Sequence, residues 1–533
     1  MIWQMKHKSL AFVLPLLALP LSACGFLFDI FSSSSHPYTS YSWSSTSYSP
    51  GLSGDGWEKP ASVSPVTYRD VNYSLGMDIL PSKGNLNLLV LPIQFKNYSF
   101  TSQQLTDLDK ALNGDGYNDT GYWESLSSFY EKSSFGNVHM TFEIADVYSI
   151  DQTPRDWYNT YGYESQSHDS DNGSHAIDLA FAQYKNSHST QRFDSDHNGF
   201  VDGVIAVYSC PDYVSGGYSW DDNDYFWAYC FWADNEQGSY ASPNYQLYFW
   251  LSIDFIYEQV RSPKVDAHTL IHECGHMFGL DDYYCDGSYS KYKNFNPMGG
   301  WCMEDENILD HDAFSKMALG WTVPYVVTGN SATLTIHASY LSGECIMVPT
   351  GNWNGSFWDE YMLVELYAPE GLNYLDSHER YSGRELGYTI PGIKIYHVDA
   401  RLMRLTVNSA GYIVDADYET DMAAVSRTLN TAYYTVGATN CQKDSSLCPA
   451  DSDFSLIHLM EAGGRNTFMN GSLGTNRTLF QAGGSFSMSR FGQEFFPKKT
   501  TFNSGDRFDY TIHVDSIGTD DDGHSIATIT VSK

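Results

Sequence analysis

The segment His272-Glu273-Cys274-Gly275-His276 places two imidazoles four positions apart around a carboxylate. On a helix of about 3.6 residues per turn that spacing brings both rings to one face, where neutral imidazole nitrogens suit a divalent transition metal. Glu273 lies beside them, close enough to act on water that such an ion polarises. The residues that follow extend the pattern. Gly279 stands where a helix must stop and turn, and Asp282, the tenth position after His272, can be delivered by that turn as a third ligand. Asp281 offers the same chemistry one residue earlier, and spacing favours Asp282. Three protein ligands leave a zinc ion one open position, so His268, one turn before His272, is assigned a supporting or structural role, and Cys274 a structural one. Downstream, Asn296-Pro297-Met298-Gly299-Gly300 predicts a tight turn that sets Met298 under the metal site.

A second cluster has hard-cation character. In Asp194-Ser195-Asp196-His197-Asn198-Gly199-Phe200-Val201-Asp202, oxygen side chains occur at loop positions 1, 3, 5 and 9, with glycine at position 6. That pattern wraps a loop around calcium, with Asp194, Asp196, Asn198 and Asp202 as ligands. Position 12, glutamate in an EF-hand, is Ile205, so any bidentate carboxylate must come from elsewhere.

The elements that hold these residues can be read from periodicity. Leu86 to Phe95 predicts a buried strand, residues 122–132 a helix with Trp123, Leu126, Phe129 and Tyr130 on one face, and Val138 to Ile144 a half-buried strand. A further helix is expected over 173–185 and a central strand over Val204 to Tyr208. After Trp321 the pattern changes to short β-rich runs (SATLTIHAS, ECIMVPT, EYMLVELY, GIKIYHVD, SIATITVSK) separated by Gly, Asn and Asp, as in an antiparallel sandwich. His397 and Asp399 in one of these runs are read as a structural hydrogen-bonded pair.

The amino terminus addresses the compartment. Lys6 and Lys8 precede an apolar run from Leu10 to Leu21 that is too short for a membrane span and ends in Leu21-Ser22-Ala23-Cys24, similar to a bacterial lipobox. The expectation is a lipoprotein signal peptide over 1–23, then lipidated Cys24 and a Ser/Tyr-rich tether over 24–56. Residues 57–85 form a candidate pro-segment. The other eight cysteines allow up to four disulfides in an oxidising compartment, with Cys441 and Cys448 as the first pair to expect. The chain has 533 residues, 30 basic against 64 acidic side chains and a formal charge of −34, which argues against nucleic-acid binding.

Taken together, LVLPIQF, WESLSSFYEKSSFGNVHMTFEI, DSDHNGFVDGVIAVY, HECGHMFGLDDYY, NPMGG and FSKMALGW resemble, in order, the immune inhibitor A-type secreted bacterial metallopeptidases, relatives of the metzincins. The resemblance implies an α+β architecture: a metzincin-like zinc peptidase domain over 86–325, followed by a mainly antiparallel β-sandwich domain over 326–533. It also implies His272, His276 and Asp282 as zinc ligands, Glu273 as general base, and extracellular proteins or peptides as substrates of an enzyme anchored to the membrane through Cys24. Asp281, where the family often has proline, and Tyr283 depart from the pattern. A reading from another class is a cell-surface adhesin whose metal site is structural; a complete Glu273 with an open three-ligand set is what such a protein would not need.

Overall fold

The computed structural model describes residues 53–533 apart from 63, 162–171, 212–225, 286–294, 382–383, 410–412 and 441–453. The expected signal peptide, Cys24, most of the tether and the Cys441–Cys448 pair lie outside the described residues.

Among the described residues the chain is a mixed α/β molecule with four sheets. A short hairpin, β1 (Ser53–Gly54) and β2 (Trp57–Glu58), precedes the helix Tyr68–Ser74. Then come β3 (Gly84–Phe95), β4 (Val138–Ile144), β5 (Tyr148–Ile150), β6 (Val204–Tyr208), β7 (Tyr229–Trp232) and β8 (Leu247–Ser252), which form one sheet ordered β4-β3-β6-β8-β7, with β5 also on β3. All its pairings are parallel except β7 on β8. Parallel strands connected through helices are covered on both faces, which is why β3 and β6 read as near-continuous apolar runs. On one face Leu86, Leu88, Val90, Ile205 and Val207 pack with Leu270, Ile271, Cys274 and Met277 of the helix His268–Met277. On the other, Leu89, Leu91, Val204 and Ala206 pack with Ala176, Ile177 and Phe181 of the helix Asn172–Ser187.

One helix starts later than its apolar spacing predicts. It covers Leu126–Ser133 because the Ser125 hydroxyl accepts the Ser128 N–H and fixes the amino end there. Trp123 is still fully buried, but by stacking on His268, with centroids 4.0 Å apart, rather than as part of that helix.

The second half carries β9 (Tyr325–Val327), β10 (Ser331–His337), β11 (Cys345–Pro349), β12 (Glu360–Tyr367), β13 (Gly392–Asp399), β14 (Leu402–Val407), β15 (Ile413–Tyr418), β16 (Tyr433–Val436), β17 (Ile457–Leu459), β18 (Ser485–Ser487), β19 (Thr511–Thr519) and β20 (Ser525–Ser532). A sheet ordered β1-β2-β9-β11-β12-β13-β17 faces one ordered β10-β20-β19-β18. Between them, Val348, Met362, Val364 and Ile395 interdigitate with Leu334, Ile336, Ile512, Ile529 and Val531. Every pairing in the two sheets is antiparallel except β9 on β11. The opposite face of the larger sheet, through Met347, Tyr361, Leu363 and Tyr396, packs on Met298, Trp301, Phe314 and Met317. That sheet is therefore buried on both sides, with the metal-motif half as its second cover.

Residues 57–85, the candidate pro-segment, are woven through the molecule. Trp57 and Glu58 pair with β9, Val66, Tyr68 and Val71 enter the core behind the larger sheet, and Leu75, Met77, Ile79 and Leu80 enter the core of the first sheet. Cys230, Cys274, Cys302 and Cys345 are separate buried thiols, so the disulfides stop short of the four that eight cysteines allow. Apolar packing supplies the cohesion that cross-links would give a smaller body. His397 and Asp399 do not pair with each other. His397 Nε2 meets Glu360 Oε1 at 2.7 Å, while Asp399 takes the Arg401 guanidinium in two 2.7 Å contacts. Alternation along β13 puts 397 and 399 on the same face, where Glu360 of the neighbouring strand claims His397 and Arg401, two residues further on, claims Asp399. Among the described residues, no helix is long and apolar enough to cross a membrane.

Candidate metal centre

The helix His268–Met277 is buried along its whole length, and Gly279, with φ of 90°, turns the chain just beyond it. A non-glycine residue would be strained there, so the turn that delivers Asp282 depends on this glycine. His276 Nδ1 lies 2.9 Å from the Leu280 carbonyl and His272 Nδ1 lies 2.8 Å from the Met303 carbonyl. A carbonyl oxygen only accepts, so each Nδ1 carries the proton and each Nε2 presents a lone pair.

Those two Nε2 atoms are 3.1 Å apart, and Asp282 Oδ1 lies 3.4 Å from that of His272 and 3.2 Å from that of His276. Atoms bound at about 2.0–2.1 Å to a tetrahedral ion stand roughly 3.3 Å from one another, so this triangle has the size a zinc ion needs. Asp282 Oδ1 is buried and has no hydrogen-bond donor, a costly condition for a carboxylate oxygen that a bound cation relieves. The residues present fit the ion. Asp281 lies instead within electrostatic reach of the Tyr68 hydroxyl, and burial followed by that charge pushes the Tyr68 pKa up.

Glu273 is buried beside the triangle, with Oε2 unpartnered. Burial raises its pKa; the neighbouring His276 and His272 oppose that shift and Asp282 adds to it. Cys230 of β7, which among the described residues ends the sheet order, is within electrostatic reach of Glu273, which places that strand alongside the Glu273 side of the helix.

Met298 is buried in the core that includes Tyr283, in a turn closed by Gly299 and Gly300 at φ of 69° and 82°. Asp305 Oδ2 accepts the Gly300 N–H at 2.8 Å and fixes that turn. Tyr283 packs as a core residue, its hydroxyl 2.9 Å from Ser315 Oγ. His268 is no ligand. Its Nδ1 meets Asp266 Oδ1 at 2.5 Å and its Nε2 meets Asp376 Oδ1 at 3.3 Å, so it is a buried cation between two carboxylates. Burial alone would lower its pKa; Asp266 and Asp376 outweigh that and hold it at about 10.

Several residues near the centre have no signature in the sequence. Glu304, fully buried, faces the Nδ1 edge of His276 at 3.6 Å. It therefore lies behind the imidazoles, on the side opposite the Nε2 triangle. Asp266 and Asp376 are likewise found only through the fold.

The loop from Asp194 to Asp202 closes as a cation loop does. His197 and Gly199, at positions 4 and 6, have φ of 63° and 86°, and the Asn198 and Gly199 N–H groups each donate to Asp194 at 3.0 Å. Asp202 Oδ1 accepts from Ser195, whereas its Oδ2 is buried without a partner, and burial raises the Asp202 pKa to about 7. A further carboxylate comes close to this loop from residue 78. Asp78, nearly inaccessible, sets Oδ2 3.0 Å from Asn198 Nδ2. Arg69 joins Asp78 to Asp196 and offsets part of the negative charge. The Asn198 side chain turns its nitrogen to Asp78 and Asp196 and its oxygen to the Phe200 N–H, so in this arrangement Arg69 and that amide, rather than a shared ion, bridge the carboxylates of Asp78 and Asp196.

In comparisons with known proteins, no family model matches this chain and no curated protein is significantly similar to it.

Proposed function

We propose that this protein is a zinc-dependent endopeptidase of extracellular proteins or peptides, with a metzincin-like catalytic half and a β-sandwich that completes its core. The observation that carries this reading is the triangle of His272 Nε2, His276 Nε2 and Asp282 Oδ1, with edges of 3.1 to 3.4 Å and with Glu273 beside it. His272, His276 and Asp282 would hold a zinc ion, which when bound would supply Lewis-acid polarisation of the scissile carbonyl and acidify a water.

The chain's own groups do the rest. Glu273 accepts the proton as water attacks the carbonyl carbon, then returns it to the amine nitrogen as the C–N bond breaks, with no acyl-enzyme formed. Its burial suits that work, since it pushes the carboxylate's pKa up and makes it a stronger base. The Leu280 and Met303 carbonyls keep both histidines in the ligating tautomer. Strand β7 pairs with β8 on one side, and among the described residues no strand covers its other edge, which supports extended peptide binding by strand addition.

We also propose calcium in the Asp194–Asp202 loop, as a support for the fold, and attachment to the outer face of a bacterial membrane through Cys24. The deciding experiment is casein or gelatin turnover by the purified soluble body. Activity should vanish with a zinc chelator and fall about 10²–10⁴-fold in Glu273→Ala. A Glu273→Ala protein with full activity would overturn the reading.

A further inference from the structure

The dipeptide Met303-Glu304 lies behind both histidines and against the residue that follows Asp282. The Met303 carbonyl accepts the His272 Nδ1 proton at 2.8 Å, and the Glu304 carbonyl accepts the N–H of Tyr283, the residue after Asp282, at 2.7 Å. The Glu304 side chain turns inward, with Oε2 3.6 Å from His276 Nδ1 and Oε1 3.5 Å from His311 Nδ1. Glu304 is fully buried and neither carboxyl oxygen has a hydrogen-bond partner. His311 continues the chain of polar groups: its Nε2 is 3.3 Å from the Tyr130 hydroxyl, which donates at 2.8 Å to the Ile271 carbonyl of the metal-motif helix.

The helix itself leaves room for this carboxyl. A Cβ on Gly275 would lie 2.0 Å from Glu304 Oε1 and 2.7 Å from Cδ, a clash that a fully buried side chain has no space to escape. The glycine between the two histidines is thus matched to a glutamate that lies 29 positions further on in the chain. The Leu280 carbonyl takes the His276 Nδ1 proton at 2.9 Å, and the Glu304 side chain, 3.6 Å from the same nitrogen, packs behind the ring and holds its orientation.

We infer that Glu304 is a positioning residue for the metal centre, backing His276 with His311 as its buried partner; this rests on the zinc reading above. The test is zinc affinity, measured by competition with a chromogenic chelator on the soluble body. Glu304→Gln keeps the shape and removes the carboxyl. It should bind zinc ~10–100-fold more weakly than the wild type, with the circular dichroism unchanged, and saturating zinc should restore KM. Should Glu304→Gln fail to fold, Glu304→Asp, which retains the carboxyl but withdraws it by one methylene, should show the same direction of change, together with a smaller rise in melting temperature on adding zinc. Affinity within about twofold of wild type in a folded variant would overturn the inference and leave the zinc reading standing. A wild-type protein that takes up no zinc would overturn both.

Discussion

Replacing His268 by glutamine should destabilise the fold by an amount that shrinks as pH rises. The imidazolium lies between Asp266 and Asp376, all three inaccessible to solvent, with Trp123 stacked on the ring 4.0 Å away. Breaking a buried ion pair from one side leaves uncompensated charge and costs about 3–5 kcal/mol, here with two carboxylates left facing each other. The pH dependence gives an independent handle. His268 rises from an ordinary 6.5 to about 10 in the fold, so the folded state binds its proton more tightly. The stabilisation is therefore complete below pH 6.5 and is lost as pH rises through about 10. The shift of about 3.5 units corresponds to roughly 5 kcal/mol, of which roughly 3 remain at pH 8. Urea unfolding of wild type and His268→Gln, followed by tryptophan fluorescence at several pH values from 6 to 10, isolates this group as the difference between the two curves. A difference that stays flat across the window, or one below about 1 kcal/mol at pH 6, would refute the buried-cation account.

Removal of calcium, with zinc retained, should lower the melting temperature, because calcium at one hundred times its dissociation constant stabilises the fold by about 2.7 kcal/mol. Asp78→Asn and Asp202→Asn should each abolish that calcium-dependent shift, and melting that ignores calcium in the wild type would remove the site. Cys24→Ser should lose incorporation of labelled palmitate, whereas label persisting in the variant would place the acyl chain elsewhere. With a formal charge of −34, the protein should cleave basic peptides faster than acidic ones of matched length, and the gap should narrow as salt rises; a preference indifferent to ionic strength would show that the local pocket outweighs the global field.

What the sequence determined by itself is what a helical turn or a short loop determines. Spacing of four fixes His272 and His276 on one face whatever surrounds the helix, and Gly279 marks its end, because only local backbone geometry is involved. The same holds for the oxygen ladder from Asp194 to Asp202 and for β3, β4 and β6, whose apolar patterns record how many faces are buried. Tertiary structure decided everything that depends on which distant surfaces meet. Asp281 and Asp282 are adjacent and chemically identical, and only the path of the chain after Gly279 aims one at the imidazoles and the other toward Tyr68. Asp78 joins a loop 120 positions away because the segment carrying it is pinned into two cores by its own apolar residues. Glu304 and Asp376 lie in stretches with no motif, and their carboxylates become neighbours of His276 and His268 only when packing has excluded water. Pairings of this kind are set by the close fit of whole cores, whereas the motif residues are placed by bonds along a single turn.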